Sequence, residues 1–163
     1  MTWTLTWPWD AGSRRPKTLN WIMSRIRDGS GVKPPRNLID LVKRAQEAQL
    51  RREDREPRDY SRGMAVIEPE SLRSSHAALS QARVEDTLLA ESGKYAQFIE
   101  KFRDGKAEHN EMSLAATLGV SIHEAREVIK ILLSIGFLEQ IGTAYKVPLL
   151  YRDGLDITQG KAF

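Results

Sequence analysis

An arginine that follows two prolines and opens a helix is the residue of this sequence best placed to do chemistry. The stretch GVKPPRNLIDLVKRAQEAQ covers residues 31 to 49 and places Arg36 directly after Pro34 and Pro35. Proline fixes the backbone and suits the first turn of a helix, so the arginine is predicted to have a stiff mount. A guanidinium group matches phosphate oxygens through two parallel hydrogen bonds. Arg36 is therefore a candidate for contact with a phosphate.

Other arrangements that support catalysis or cofactor binding are missing from the sequence. The fragment nearest to a phosphate loop is AESGKYAQ, residues 90–97. Leu88, two residues before it, stands where the first glycine of the motif is needed, and Tyr95 replaces the Ser or Thr. His76, His109 and His123 are scattered, show no metal-ligand spacing, and are each predicted to be solvated or to cap a helix. The chain has no cysteine. We therefore predict no catalytic residue, metal or cofactor, and no ATP hydrolysis by this chain alone.

The net charge of +3 hides a strong division along the chain. Residues 1 to 62 hold 14 Lys and Arg against 8 Asp and Glu, which gives +6, whereas residues 63 to 163 hold 11 against 14, which gives −3. Nucleic-acid binding that depends on charge should therefore involve the first segment. The candidate contacts there are Arg51, Arg52, Arg55, Arg58 and Arg62.

The spacing of apolar residues predicts helices in the first segment. An extended opening containing Trp3, Trp7 and Trp9 precedes a helix over residues 17 to 28, whose apolar positions are Leu19, Ile22, Met23 and Ile26. A second helix should run from Asn37 to about Leu50, with Leu41 and Ala45 in its apolar stripe. The mixed-charge run RREDREPRDYSRG lacks apolar anchors, so we place a linker and domain boundary near residues 57 to 63.

The second segment is predicted to contain a helix-turn-helix with a β-hairpin wing. One helix should end near residue 83 and another should run from about 84 to 103. A short helix over residues 112 to 118 and a Gly119 turn precede a longer helix, which Ser121 caps with Glu124 at the capping-box position. The buried face of the longer helix should contain Ile122, Ala125, Ile129, Leu132 and Leu133. A hairpin is expected around Gly142 and Thr143, with Pro148 in an edge strand.

A helix-turn-helix with a wing often places its second helix in the major groove of DNA. The candidate contacts are Ser121, His123, Arg126 and Lys130 on that helix, with Lys146 on the wing. Glu124 and Glu127 on the same helix would approach phosphates poorly, so counterion release should be small. A compact packing unit or a protein-docking surface is the favoured interpretation of this helix, and DNA binding is the alternative.

The segment KPPRNLIDLVKRAQEA resembles the Pro-Arg helix in the lid of AAA-type and related P-loop ATPases. In that family the arginine, called the second sensor, reaches the terminal phosphate of ATP bound by the preceding core, and the resemblance assigns this role to Arg36. The order of a linker, helices, LLAESGKYAQFIEKF, a winged helix and YKVPLLYRDGLDI is similar to the C-terminal region of certain bacterial P-loop ATPases. The resemblance covers roughly residues 17 to 157, but this chain lacks the phosphate loop and the rest of the ATPase core.

We therefore predict a mainly α protein with a helical lid-like segment at 1–62 and a winged-helix domain at 63–163. The predicted function is that of a non-catalytic regulatory or interaction tail of a P-loop ATPase, which binds the ATPase core or another protein. A winged-helix DNA-binding regulator is the alternative, and its binding to DNA should be weak. No apolar run approaches the roughly 20 residues that cross a bilayer, so we expect a soluble, cytoplasmic chain.

Overall fold

The computed structural model describes residues 17–59 and 65–163, which form a mainly helical fold with a small four-stranded sheet. The predicted mainly α class is confirmed. The opening around Trp3, Trp7 and Trp9 and the candidate Arg62 lie outside the described residues. The α-helices are α1 (Thr18–Arg25), α2 (Pro35–Glu53), α3 (Pro69–Arg83), α4 (Ala96–Glu100), α5 (Glu111–Leu118), α6 (Ile122–Ser134) and α7 (Leu149–Arg152). The strands are β1 (Lys106–His109), β2 (Glu139–Ile141), β3 (Ala144–Lys146) and β4 (Thr158–Lys161).

Helix α1 is shorter than predicted, and one residue of its predicted apolar stripe, Leu19, is not buried. Ile22 and Ile26 are buried as expected, but Leu19 is exposed. Trp21 is buried instead, because its ring packs edge-on against His76 with ring centroids 5.8 Å apart. The indole ring supplies more apolar surface to the core than Leu19 would, and this favours the observed orientation of the helix.

Helix α2 begins at the two prolines and is anchored from its first turn. Pro34 is the residue that precedes the helix and Pro35 is its first residue, a position where proline is favoured. Asn37 is buried and its Nδ2 donates a 3.2 Å hydrogen bond to the carbonyl of Ile26, just after α1. Leu41 is fully buried one turn further along, as predicted. The start of α2 is thus fixed by backbone geometry, by a buried hydrogen bond and by packing.

Helices α2 and α3 pack antiparallel through polar as well as apolar contacts. Near the end of α2, Gln49 is buried, and its Oε1 accepts hydrogen bonds from the Glu68 backbone N–H and the Ser71 hydroxyl, each at 2.9 Å. These bonds satisfy donors at the start of α3. At the other end of the pair, Arg83 of α3 forms an ion pair with Asp40 of α2.

The continuous helix predicted over residues 84 to 103 is interrupted, so that prediction is wrong. A π-helical turn, Val84–Leu89, extends α3, and a 3₁₀ turn, Gly93–Tyr95, comes before α4. Gly93 has a φ of 52°, a left-handed backbone conformation that ends a right-handed helix. The periodic apolar residues on both sides of Gly93 hide this break, because they remain buried in both shorter helices.

Two capping boxes position α5 and α6. The predicted box on α6 is confirmed: Ser121 Oγ accepts from the Glu124 backbone N–H at 3.3 Å, and Glu124 Oε2 accepts from the Ser121 N–H at 3.1 Å. A second box, formed by Asn110 and Ser113 at the start of α5, was not predicted. Gly119, with a φ of 64°, separates the two helices as expected.

The buried face of α6 agrees with the prediction only in part. Ala125, Ile129 and Leu132 are buried. Ile122 is 46% exposed, whereas Val128, which was not predicted, is buried. The apolar position in the first turn of α6 is thus exposed to solvent, and the buried face begins at Ala125.

The sheet has the strand order β2-β3-β1-β4. Strand β3 is antiparallel to both β2 and β1, and the hairpin predicted at Gly142 joins β2 to β3. Strand β4 is parallel to β1, and neither of these two strands was predicted. The expectation of Pro148 in an edge strand is wrong: Pro148 is buried and precedes α7, where its φ of −58° suits a helix start.

Residues from both predicted domains contribute to one hydrophobic cluster in the described chain. The loop after α1 also approaches the turn between α6 and β2 closely, because the Gly29 N–H donates to the Gly136 carbonyl at 2.7 Å. A Cβ atom at Gly29 would lie 2.2 Å from the Leu138 carbonyl oxygen, so only glycine fits there. Beside it, Arg27 binds Glu139 of β2 at 2.8 Å. The division into 1–62 and 63–163 stays a prediction, and these contacts join its two parts.

Candidate functional site

Arg36 occupies the second position of α2 and is exposed to solvent. It forms no hydrogen bond or ion pair with the described residues. Its neighbour Asn37 is only 2% exposed and is bonded to the Ile26 carbonyl, so the backbone that carries Arg36 is held in place. The positive end of the helix dipole lies at the same point and favours an anion. All N–H donors of this guanidinium group are therefore available to bind a partner.

The surface around Arg36 combines cationic and apolar side chains. Ile39 lies three residues further along α2 and is 52% exposed, and Lys43 follows on the same face and is also exposed. Before the helix, Val32 is 55% exposed beside the exposed Lys33. Exposed apolar side chains beside an arginine can form part of a protein contact surface.

Three of the predicted nucleic-acid contacts lie together at the end of α2. Arg51, Arg52 and Arg55 line a cleft of about 450 Å³ that Ser74 of α3 also lines. Arg51 is 3.9 Å from Glu47, and both side chains are more than 60% exposed, so this pair is weak. Arg52 is bound more closely, at 2.9 Å from Glu68.

Arg58 was expected to contact nucleic acid, but most of its side chain is covered by the fold. It is only 10% exposed, and its Nη2 lies 2.8 Å from Glu53 Oε1. Its Nη1 donates to the Ala65 carbonyl at 3.1 Å. Because these bonds already use its donors, Arg58 fastens the chain after α2 back onto the helix, and we correct its assignment to a structural role.

The candidates on α6 are mostly engaged with carboxylates. Arg126 pairs with Glu111 of α5, and Lys130 lies 2.8 Å from Glu127. Hydrogen bonds from these cations lower the pKa of both glutamates. His123 is exposed and lines a cleft of about 420 Å³ with Arg126 and Lys130. The local charges of this cleft are therefore largely balanced.

The two remaining candidates lie apart from that cleft. The Ser121 hydroxyl is occupied by its capping interactions with Glu124. Lys146 of β3 is 2.9 Å from Glu108 of β1, and it lines a different cleft. The structure thus brings together His123, Arg126 and Lys130, but not all five of these candidates.

No motif in the sequence predicted the cleft at which α1, α3 and α7 meet. We name it the arginine cleft and define it by Trp21, Arg25, Arg73, His76, Arg152 and Asp153, which line a volume of about 490 Å³. Its arginines come from three helices that are far apart along the chain. Arg152 and Asp153 are neighbours in the sequence YRDG, which matches no binding motif. The site becomes visible only when α7 packs on α3.

His76 was expected to be solvated or to cap a helix, but it is buried inside this cleft. Its Nδ1–H donates to Asp153 Oδ2 at 2.8 Å, and this hydrogen bond lowers the pKa of Asp153. His109 is also buried, and its Nε2–H donates to the Lys106 carbonyl at 2.8 Å. Only His123 is exposed, as expected.

Within residues 17–59 and 65–163, no group of three His, Asp or Glu side chains is arranged to hold a metal ion. None of the helices in these ranges has both the length and the apolar character that crossing a bilayer requires. No protein-family model matches the sequence, and no curated protein or solved structure shows significant similarity to it.

Proposed function

We propose that this chain is a non-catalytic interaction module of a P-loop ATPase. The module docks on an ATPase core and directs Arg36 at the terminal phosphate of the nucleotide that the core holds. The observation that carries this proposal is the exposed and unpaired guanidinium group of Arg36 on a helix start fixed by two prolines. An unpaired arginine on a rigid mount loses little side-chain freedom when it binds a phosphate, because its backbone is already ordered.

The surface near Arg36 supports a protein partner. Ile39 and Val32 are exposed apolar residues within one turn of the helix start, and Lys43 adds a second cation on the same face. A docked ATPase core would cover the apolar side chains while Arg36 reached the nucleotide. This segment also resembles the lid helix of P-loop ATPases, in which the corresponding arginine reaches the nucleotide. The resemblance supports docking of the core on the surface that carries Arg36.

The topology of the second segment supports the proposed winged-helix arrangement. Its elements follow the order β1, α5, α6, β2 and β3, and β2, β3 and β1 form an antiparallel sheet. In this arrangement α6 is the second helix of a helix-turn-helix, and the β2–β3 hairpin is the wing. Pairing of Arg126 with Glu111 and of Lys130 with Glu127 leaves a charge-balanced face on α6, which suits a protein surface better than a phosphate array.

DNA binding is the alternative proposal, and the specific observation in its favour is the cleft lined by Arg51, Arg52 and Arg55. The α6 surface adds little to it because its cations are paired. Binding through the three arginines alone would be weak, independent of base sequence and strongly reduced by salt. Tight, sequence-selective binding by residues 63 to 163 would favour this alternative over the ATPase proposal.

The first part of the test identifies the partner of the Arg36 surface. A photo-crosslinking amino acid replaces Ile39, which shares a helix face with Arg36 and leaves the arginine in place. The expected partner in cells is a P-loop ATPase. The same amino acid at Ser134, on the exposed end of α6, is the matched control and tests whether the contact is confined to α2. Repeated failure of position 39 to crosslink any P-loop ATPase would contradict the proposal.

The second part measures ATP turnover by the crosslinked ATPase in complex with variants of this chain. Arg36→Ala is expected to lower kcat by about 100-fold or more, as is typical when one preorganised donor to a reacting group is removed. Arg36→Lys keeps the charge but not the planar fork, so it should restore only part of the rate. Lys43→Ala, two turns along the same helix, should leave turnover within about twofold. Equal turnover with wild-type chain and Arg36→Ala would reject the role of Arg36.

A further inference from the structure

Helix α2 has regularly spaced side chains on the face that is turned away from the core. Its inner face is buried at Leu41, Ala45 and Gln49. On the opposite side, exposed residues follow one another at intervals of three and four positions. We name them the outer face of α2, and they are Arg36, Ile39, Lys43, Gln46 and Leu50. This is the spacing at which one helix packs along another, so the outer face has the geometry of a helix-packing surface.

Two residues of the outer face are large apolar side chains that are more than half exposed. Ile39 is 52% exposed and Leu50 is 56% exposed, and they lie about three turns apart along the helix. Single exposed apolar residues are ordinary, whereas two at matching positions of one helix face can be covered by the apolar residues of a second helix. Lys43 lies between them and divides the apolar surface. The outer face therefore lacks the continuous apolar stripe by which a helix binds a membrane surface.

The outer face also has positive charge that the described chain does not compensate. Neither its arginine nor its lysine forms a hydrogen bond or ion pair within the part of the chain that the structure describes. The two carboxylates beside the face already have arginine partners. Asp40 pairs with Arg83 of α3, and Glu47 lies 3.9 Å from Arg51. The two cations of the outer face are thus left for the anionic groups of a partner.

The charges of the outer face select among the partners that could cover it. In a parallel pair with a second copy, each cation would meet its own copy. In an antiparallel pair with Leu50 opposite Arg36, Lys43 would again meet its own copy, and like charges repel. A nucleic acid would pair with both cations but leave Ile39 and Leu50 in water. A helix that carries both carboxylates and apolar residues matches the lysine and the two apolar side chains at once.

We propose that the outer face of α2 binds an acidic amphipathic helix of a partner protein. Apolar residues of that helix cover Ile39 and Leu50, and its carboxylates lie against Lys43, whereas Arg36 extends beyond it toward the nucleotide. The inference deepens the proposed function, because it gives the chemistry of the surface on which the chain docks. It rests on that function only for the identity of the partner as an ATPase core. Because Lys43 acts on the affinity of docking, turnover by the saturated complex stays independent of it.

The test is a titration of the isotope-labelled full chain with three synthetic helical peptides, followed by the NMR shifts of its backbone amides. The acidic peptide has Leu at its a and d positions and Glu at the positions that flank them. A second peptide has Lys in place of every Glu, and a third has Ala in place of every Leu. The acidic peptide is expected to bind about tenfold more tightly than either of the others, with the largest shifts on the outer face. Equal binding of the lysine peptide would overturn the acidic half of the proposal, and equal binding of the alanine peptide would overturn the apolar half.

A leucine variant then locates the contact. Leu50→Ser removes one apolar side chain far from Arg36 and is expected to weaken binding of the acidic peptide by about tenfold. Met112→Ser changes an exposed apolar residue on α5 in the same way, so it is the matched control and should change the affinity by less than about twofold. An equal loss in the two variants, shifts concentrated outside α2, or no binding by wild type at millimolar peptide would overturn the proposal.

Two further measurements decide against the other occupants of the outer face. Tighter binding of a short DNA duplex than of the acidic peptide, with shifts on the outer face, would assign this face to nucleic acid and overturn the proposal. Dimerisation of wild type in sedimentation equilibrium that is lost in Leu50→Ser would assign it to a second copy and also overturn the proposal. The peptide carries no nucleotide, so its binding does not depend on the role of Arg36. A failed peptide titration together with slowed turnover in Arg36→Ala would therefore overturn this inference and leave the proposed function intact.

Discussion

Arg36 and Arg58 lie on and just after the same helix, yet folding gives their guanidinium groups opposite roles. Arg36 extends into solvent from a fixed backbone, whereas Arg58 returns to bind Glu53 and the carbonyls of Ala65 and Val66. The sequence groups Arg58 with Arg51 and Arg55, because all three belong to one mixed-charge run. Its separation from them depends on how the chain after Arg58 folds back, which no local pattern encodes.

His109 should make the stability of the protein depend on pH. Burial lowers the pKa of His109 below its ordinary value of 6.5, so the unfolded chain binds this proton more readily than the folded chain. The neutral ring contributes its full stability above about pH 6.5, and this contribution is lost as the pH falls toward the lowered pKa. We expect the melting temperature of wild type to fall between about pH 6.5 and pH 5.

A comparison of two leucine variants assigns that slope to His109. His109→Leu should flatten the pH dependence even if it changes the melting temperature itself, because the buried titrating ring is gone. His123→Leu is the control, since His123 is exposed and should leave the slope unchanged. Identical slopes in wild type and His109→Leu would show that another group titrates in this range.

At the scale of elements, local rules predicted the helices better than the strands. The apolar stripe of α2 and the capping box of α6 are signals within one turn or two of a helix, and both predictions are confirmed. Strands β1 and β4 have four residues each and pair with one another across about 50 residues, so neither shows a pattern of its own. The π-helical turn after α3 could not be predicted from the sequence either, because its apolar residues have the spacing of an ordinary helix.

The capping box of α6 supports a prediction about that helix. Ser121→Ala removes the acceptor for the Glu124 backbone N–H and the donor to the Glu124 carboxylate. The free energy of unfolding should fall by about 1 kcal/mol, the usual effect of losing an N-cap side chain. Urea denaturation measures this change. Ser134→Ala, on the last turn of the same helix, should stay within about 0.5 kcal/mol, and an equal effect of the two substitutions would contradict the role of the cap.

At the scale of the whole molecule, the two segments differ in net charge, yet they share one hydrophobic cluster. The basic first segment supplies α1 and α2, and the acidic second segment supplies the helices and strands that they contact. The candidate sites differ in the same way. Arg36 could be named as a candidate from the sequence because the two prolines that orient it are its immediate neighbours. The arginine cleft joins residues 25, 73 and 152, so it forms only when three helices pack together.

This packing leads us to expect that both segments unfold together. Leu41 of α2 and Leu132 of α6 are each fully buried in the hydrophobic cluster to which both segments contribute. Truncation to alanine should cost about 2–5 kcal/mol at either position, from lost burial and the cavity that remains. Differential scanning calorimetry should show one cooperative transition in wild type, and each variant should move that whole transition to lower temperature. Two transitions, with Leu41→Ala lowering only one of them, would show instead that the segments before and after residue 62 are independent folding units.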